Sequence, residues 1–516
     1  MTHNNIRIRK YGFFREACDN ERVTEGIIRY LLEYFPNAAR ATAARGALHC
    51  ACENKNVTKV IIEILIDAAP DSVRSVNFVG MTPLHCLCDN NRNVDEATAV
   101  QILNVFIEKC PEAVRHASTA GFLPIHTACR WRSPEFYRVL IEAYPGSERI
   151  ADVTHNRLPL HHACLKGSLE TVELFYRQYP EAINHAACGG RRLPIVDAIM
   201  GGRPRRENPA TAAEIVRFLL ECDPNQALIE IGGKSLLQHY CYMRYDDSSI
   251  EAGVQMIKAL FDAHPEAIEG DRIASNIHHC HQQVQEFINN QLVYARQAKD
   301  LRLMTNPDEN GQLPLHTALR NNVTLGSIKL LVKGNPDALQ SADNNGALPL
   351  HVACEHSLGA IELLAKGNPS ALQSADNSGR LPLHLACQHR DSSKVIDFLG
   401  GFDPSTLDAV DGEGNSALHL ACRNAKYVTI RMLLENFDAV SVSKRNADGK
   451  LPIELLWESN VVEDRESIEY TESVFQLLKA FPETVMNCSE NHEAKTDDSD
   501  SSSESNERKR KYSADD

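Results

Sequence analysis

The feature that most constrains this chain is a phrase that it repeats. A glycine and two further residues are followed by Pro-Leu-His, one more residue and Ala-Cys. It reads Gly80-Met-Thr-Pro-Leu-His85-Cys-Leu-Cys88, Gly121-Phe-Leu-Pro-Ile-His126-Thr-Ala-Cys129 and Arg157-Leu-Pro-Leu-His161-His-Ala-Cys164. It returns as Gly311-Gln-Leu-Pro-Leu-His316, Gly346-Ala-Leu-Pro-Leu-His351, Gly379-Arg-Leu-Pro-Leu-His384 and Gly414-Asn-Ser-Ala-Leu-His419, with a shortened copy ending at His49. The histidines at 316, 351, 384 and 419 are 35, 33 and 35 residues apart. A fixed period of this size marks an array of stacked supersecondary units, none of which can bury its apolar face alone.

A second phrase runs in step with the first. An apolar helical stretch ends in a proline, as at Pro70, Pro111, Pro180, Pro224, Pro265, Pro336, Pro369 and Pro404. Phe437-Asp-Ala-Val440 is a copy that has lost its proline, and a degenerate copy fills the gap between Pro265 and Pro336. Counted this way the chain holds about thirteen units. Each reads as helix, turn, helix and extended hairpin. The proline of Pro-Leu-His suits the first turn of a helix, where a missing N–H costs little. The second helix has apolar residues at i, i+3 and i+4, as at Ile215, Phe218 and Leu219, and the terminal proline stops it. Turns rich in Asp, Asn and Gly follow: Asp343 to Gly346, Asp376 to Gly379 and Asp411 to Gly414.

These phrases together resemble the ankyrin-repeat family, over roughly residues 10 to 487. The resemblance implies a mainly α fold, an ankyrin-repeat solenoid of helix-turn-helix units with β-hairpin turns. It also implies that the recurring histidine bonds to backbone near the turn and ties one repeat to the next. The family's usual threonine before Pro-Leu-His stands at Thr82, but Leu123, Leu158, Leu313, Leu348 and Leu381 replace it elsewhere, so a hydroxyl cap is exchanged for an apolar contact. Four stretches emerge: variable repeats over 1–270, with insertions at 89–97, 201–210 and 242–253; a degenerate repeat over 271–308; regular repeats and a C-terminal cap over 309–487; and a Ser-, Asp- and Glu-rich tail over 488–516, expected to be disordered. Glu454 replaces the histidine of the phrase, as expected where the pattern relaxes in a capping repeat.

Composition narrows the function classes. Hydrophobic residues make up 43% and charged residues 24%, ordinary for a folded chain. The formal net charge of −15 argues against a general nucleic-acid surface. No apolar run is long enough for a bilayer span or a signal-peptide core, so no membrane association is expected. None of the 16 cysteines sits in a CxxC pair, which fits reduced thiols and a cytoplasmic, or nuclear, location. Arg508-Lys-Arg-Lys511 could serve as a nuclear import signal, and Ser499 and its serine neighbours lie in acidic surroundings that suit phosphorylation.

Several residues tempt a chemical reading. The histidine row recurs at the same place in repeat after repeat and therefore reads as scaffold. Cys50, Cys52, Cys86 and Cys88 share the register of the other repeat cysteines and read as small core residues. His278-His279-Cys280-His281 is the strongest metal candidate by composition. His278 nevertheless falls in the histidine register, and adjacent helical residues point apart, so a degenerate repeat is the preferred account. Gly412-Glu-Gly414 imitates a phosphate loop but coincides with a repeat turn, and Gly233-Lys-Ser235 is only the tail of a P-loop, with Leu228 where the first Gly is required. Arg191, Arg192, Arg203, Arg205 and Arg206 concentrate positive charge around one insertion.

The expectation is therefore a chain that is not an enzyme, with no cofactor and no metal. It would be a protein-protein interaction scaffold that binds partner proteins on its concave face. Asp343, Asn345, Asp376, Ser378, Glu413 and Asp448 are the candidate partner-binding turn residues. An adaptor delivering a client to an effector complex is the alternative, and a metal-dependent enzyme centred on 278–281 is a third reading.

Overall fold

The computed structural model describes residues 12–39, 46–90, 94–190, 192–201, 209–269, 273, 277–354, 358–389, 393–436, 442–459 and 467–480. The Phe437 to Val440 copy, the 488–516 tail with its serines and basic run, and Arg191, Arg203, Arg205 and Arg206 lie outside these residues. The chain divides into two compact units, residues 1–292 and 293–516. The division falls inside the long helix Gln282–Gln297 of the degenerate stretch.

The repeat between residues 343 and 373 illustrates the rule that builds the others. Leu348, pushed into the extended region by the proline that follows it, has φ −73° and ψ 161° and caps the helix Pro349–Ala353. The His351 ring reaches back so that its Nδ1 accepts the Leu348 N–H at 3.1 Å, the part that Glu or Gln plays in a capping box. A ring nitrogen that accepts an amide N–H carries no proton, so Nε2 holds it. That Nε2–H donates to the Arg380 carbonyl of the next repeat at 3.1 Å.

The same pair of bonds recurs in both units. In the first, His126 accepts from Leu123 at 3.0 Å and donates to the Ile150 carbonyl at 3.0 Å. In the second, His384 accepts from Leu381 at 2.9 Å and donates to the Ala409 carbonyl at 3.1 Å. The tie between repeats implied by the family resemblance is thus present, and it leaves both nitrogens of these rings engaged. At Thr82 and Ser416 the cap hydroxyl also lies 2.8 Å from the ring, whereas the leucines at this position turn into the core.

The second helix, Leu358–Gly367 in this repeat, buries Ala360, Ile361, Leu364 and Ala365. Here the sequence expectation needs adjusting. The proline after it does not end helical structure; it opens a short 3-10 turn, Pro369–Gln373, after the single non-helical residue Asn368. Proline tolerates the first position of that turn for the same reason it tolerates the first position of a helix. Pro70, Pro111, Pro180, Pro224, Pro265, Pro336 and Pro404 do likewise. The buried amides of Asn335 and Asn368 donate to the Met304 and Leu339 carbonyls of the preceding repeat at 2.8 and 3.0 Å, a second tie between neighbours.

The hairpins are also slighter than expected. Among the described residues one two-residue antiparallel ladder forms, Glu230–Ile231 with Lys234–Ser235, besides isolated bridges at 187/192 and 410/416. Elsewhere a carboxylate or amide takes the N–H groups that a partner strand would take. Asp343 Oδ1 accepts from the N–H groups of Asn345 and Ala347, each at 2.9 Å, while its own N–H donates to the Ala347 carbonyl at 3.0 Å. Gly346 closes this turn at φ +73°, and a Cβ there would run into Asn377 of the next turn.

Within each unit first helices stack on first helices and second on second. In the second unit Pro382–His389 packs on Ala417–Arg423, which packs on Pro452–Glu458, and Ser393–Phe402 lies on Tyr427–Asn436. The small Ala386, Cys387, Ala421 and Cys422, all buried, permit that approach. The insertion read at 242–253 ends in the first turn of the helix Ile250–Ala263 and folds back on its own repeat: the Tyr245 hydroxyl donates to the Tyr240 carbonyl at 2.7 Å, and its ring lies where a side chain at Gly253 would stand.

Candidate turn and first-helix groove

The turns of the second unit are joined to one another by a backbone ladder. The N–H of Asn344 donates to Asn310 O at 3.0 Å, that of Asn377 to Asn345 O at 2.9 Å, that of Gly412 to Ser378 O at 2.9 Å and that of Ala447 to Glu413 O at 2.9 Å. Each turn therefore holds the next in register, and the residues on its rim are presented at a fixed repeat.

This geometry sorts the six turn residues singled out in the sequence into two kinds. Asn345, Ser378, Glu413 and Asp448 stand two places after the turn's Asp or Asn and are exposed. Asp343 and Asp376 are buried, and here the expectation of partner-facing side chains is corrected. Their carboxylates are engaged by turn N–H groups and by one arginine each: Arg320 Nη2 donates to Asp343 at 3.3 Å, and Arg380 Nε to Asp376 at 2.9 Å. Burial pushes the Asp376 carboxyl up, but Arg380 and the turn amides outweigh it and hold the group below the usual carboxylate range. Glu413 receives Arg423 at 3.2 Å on the surface.

Between two successive turns and the first helices behind them lies a groove of about 250 Å³. Arg320, Asn345, Asp376, Asn377, Ser378 and Arg380 line its polar side, and Val352 and Leu385 its floor. Arg320 and Arg380 were not singled out in the sequence. The available signal was spacing: Arg380 stands four residues after Asp376, and Arg320 four after His316, the place that Arg423 holds after His419.

The remaining candidates fall elsewhere. His85, His126 and His161 are pushed down by burial, to about 4, 3 and 3, and His316, His351, His384 and His419 are lowered for the same reason. They are neutral struts at physiological pH. Burial pushes the Cys88 and Cys129 thiols up to about 12, and Cys129 Sγ donates back to the Ile125 carbonyl at 3.4 Å. These are protonated core atoms, not ligating thiolates.

His278 does not keep the buried histidine register assigned to it from spacing. Without a proline to start a helix, Ile277–His279 makes one 3-10 turn, and the His278 and His279 rings are exposed, with centroids 4.0 Å apart. Cys280 is buried, and His281 Nδ1 accepts the Gln283 N–H at 3.3 Å. Among the described residues no group of three or more His, Cys, Asp or Glu side chains could hold a metal. Gly412 is part of the turn ladder, and Gly233 sits in the small hairpin. Arg192 lies with Nε 3.6 Å from the buried Asp197, which Arg157 reaches at 3.1 Å.

The family of ankyrin repeats (three copies) matches residues 273–371 and 328–408, and the single ankyrin repeat matches 413–441. The chain is an ankyrin-repeat protein. The matches cover the regular repeats as far as residue 441 and part of the degenerate stretch, and the groove lies within them. The bonding pattern of the ankyrin histidine extends upstream of the matched residues, through His161, His126 and His85. No curated protein gives a significant match. Ankyrin repeats in general are protein-protein interaction modules, and no helix among the described residues is long and apolar enough to cross a membrane.

Proposed function

We propose that this ankyrin-repeat chain is a non-catalytic scaffold that holds partner proteins against the turn and first-helix face of its second unit. The observation that supports this is the groove: a polar rim set at a fixed repeat by the turn ladder, over an apolar floor of Val352 and Leu385. Asn345, Ser378, Glu413 and Asp448 are the residues on which specificity rests, because they are exposed while the scaffold beneath them is internally bonded. A rigid rim loses little entropy when a partner docks. No disulfide joins the described cysteines, most of which are buried, and this suits a reducing compartment such as the cytoplasm or nucleus.

The test is quantitative affinity purification from the native cell with two variants. One carries Asn345→Lys, Ser378→Lys, Glu413→Lys and Asp448→Lys. The other carries four lysines at exposed second-helix positions of the same unit. Proteins that are retained by the wild type and the second variant but lost from the first support the reading. Equal retention by all three places the binding face elsewhere.

A further inference from the structure

The two arginines of the groove are formally paired, yet the pairs are lopsided. The side chains of Asp343 and Asp376 are 0% and 2% exposed, whereas those of Arg320 and Arg380 are 40% and 34% exposed. The carboxylates face inward, each also receiving two turn N–H groups. Arg380 spends Nε and one Nη2 N–H on Asp376, and Arg320 spends a single Nη2 N–H on Asp343. A guanidinium has five N–H donors. The remaining donors of both side chains have no carboxylate partner among the described residues, and both line the same cavity.

What the groove offers to solvent is therefore cationic and rich in donors, on a chain whose formal net charge is −15. Asn345, Asn377 and Ser378 add neutral polar groups beside the two arginines, and Val352 and Leu385 lie beneath them.

We infer that this groove seats an acidic side chain of a bound protein segment, its carboxylate taken by the outward N–H groups of Arg320 and Arg380 and its neighbouring apolar residue resting on Val352 and Leu385. The inference builds on the scaffold reading and names the chemistry of its partner. Two guanidinium groups converging on a carboxylate form charge-assisted hydrogen bonds, stronger and more directional than neutral ones. The partner is thus an extended segment with Asp or Glu beside an aliphatic residue, and its binding weakens as salt rises.

The experiment pans one displayed library of random twelve-residue peptides against the full-length chain and against its Arg320→Gln/Arg380→Gln variant. Peptides recovered by the wild type are synthesised with their acid and with the matching amide, and affinities are measured by fluorescence anisotropy. The expected result is that acid-to-amide exchange costs about tenfold on the wild type and close to nothing on the Gln variant. Arg320→Lys/Arg380→Lys, which keeps the charges, keeps the acid preference and guards against a variant that merely loses its fold. Peptides that bind and are lost on Asn345→Lys/Ser378→Lys, but show no acid preference, overturn this inference and leave the scaffold standing. Failure of the wild type to enrich any peptide sensitive to that lysine pair overturns both.

Discussion

In the second unit the residue after the repeat histidine is exposed at Thr317 and then buried and aliphatic: Val352, Leu385, Leu420 and, after Glu454, Leu455. In the first unit the same row begins with the buried Cys50 and Cys86 and then turns polar, with Thr127, His162, Asp197 and His239. The aliphatic row packs by shape alone, so each repeat accepts its neighbour in the same way. The polar row needs particular partners. His162 lies 3.0 Å from Asp152, and Asp197 is completely buried against Arg157 of the preceding repeat. Burial raises the Asp197 pKa, and the two arginines only partly offset it; burial likewise pushes Asp152 up, but His162 and the His155 N–H hold it at about 2. A buried ion pair adds little net stability over apolar residues but penalises the wrong neighbour heavily. One unit is thus a uniform stack, and the other contains two repeats matched to each other.

The largest expected effect breaks that match. Asp197→Ala strands the Arg157 guanidinium and is expected to cost about 3–5 kcal/mol in denaturant unfolding, while Asp197→Leu with Arg157→Met restores most of it. A cost under about 1 kcal/mol for the single change would mean that the two rows are energetically alike. In the uniform stack, Leu420→Ala is expected to cost about 3 kcal/mol by leaving a cavity, and no second substitution at a charged residue rescues it.

A pH series sharpens the comparison. The buried repeat histidines are neutral when folded and titrate near 6.5 when unfolded, so the unfolded chain binds more protons below that value. Their stabilising neutrality is complete above about pH 6.5 and is lost as pH falls towards the folded values. Those are about 4 for His85 and about 3 for His126 and His161. Each such histidine costs roughly 1.4 kcal/mol per pH unit across that window. Hydrogen exchange at pH 7, 6 and 5 should show both units loosening. Protection that does not change with pH around His126 and His161 would mean these rings are not buried neutral.

The smallest effects separate the two kinds of turn residue. Asp376→Ala removes a turn cap and an arginine partner and should cost about 1–2 kcal/mol. Ser378→Ala, two residues on, should stay within about 0.5 kcal/mol. Equal costs would show that the rim position is part of the scaffold.

The capping repeat shows how far local reading goes. Glu454 was expected to mark relaxation of the pattern, and it retains half of the histidine's work. Its carboxylate accepts the Leu451 N–H at 2.7 Å, and its other contact is Arg445 of its own repeat. An acid has no proton to donate onward to a neighbouring carbonyl at neutral pH, so the cap survives and the tie is lost. By contrast, the metal-like composition at 278–281 misled because spacing alone placed His278 in the register, while the proline that sets a helix start is missing there.

From sequence alone came the period, the helix starts and the turns. Each is decided within a few residues: proline fixes φ, glycine opens the left-handed region, and a histidine three places along reaches its own cap. Tertiary structure decided which turn residues face outward and that Arg320 and Arg380 share one groove. It also decided that Arg157 meets Asp197. Those outcomes join residues of different repeats, and they exist only once coiling brings each turn against the next.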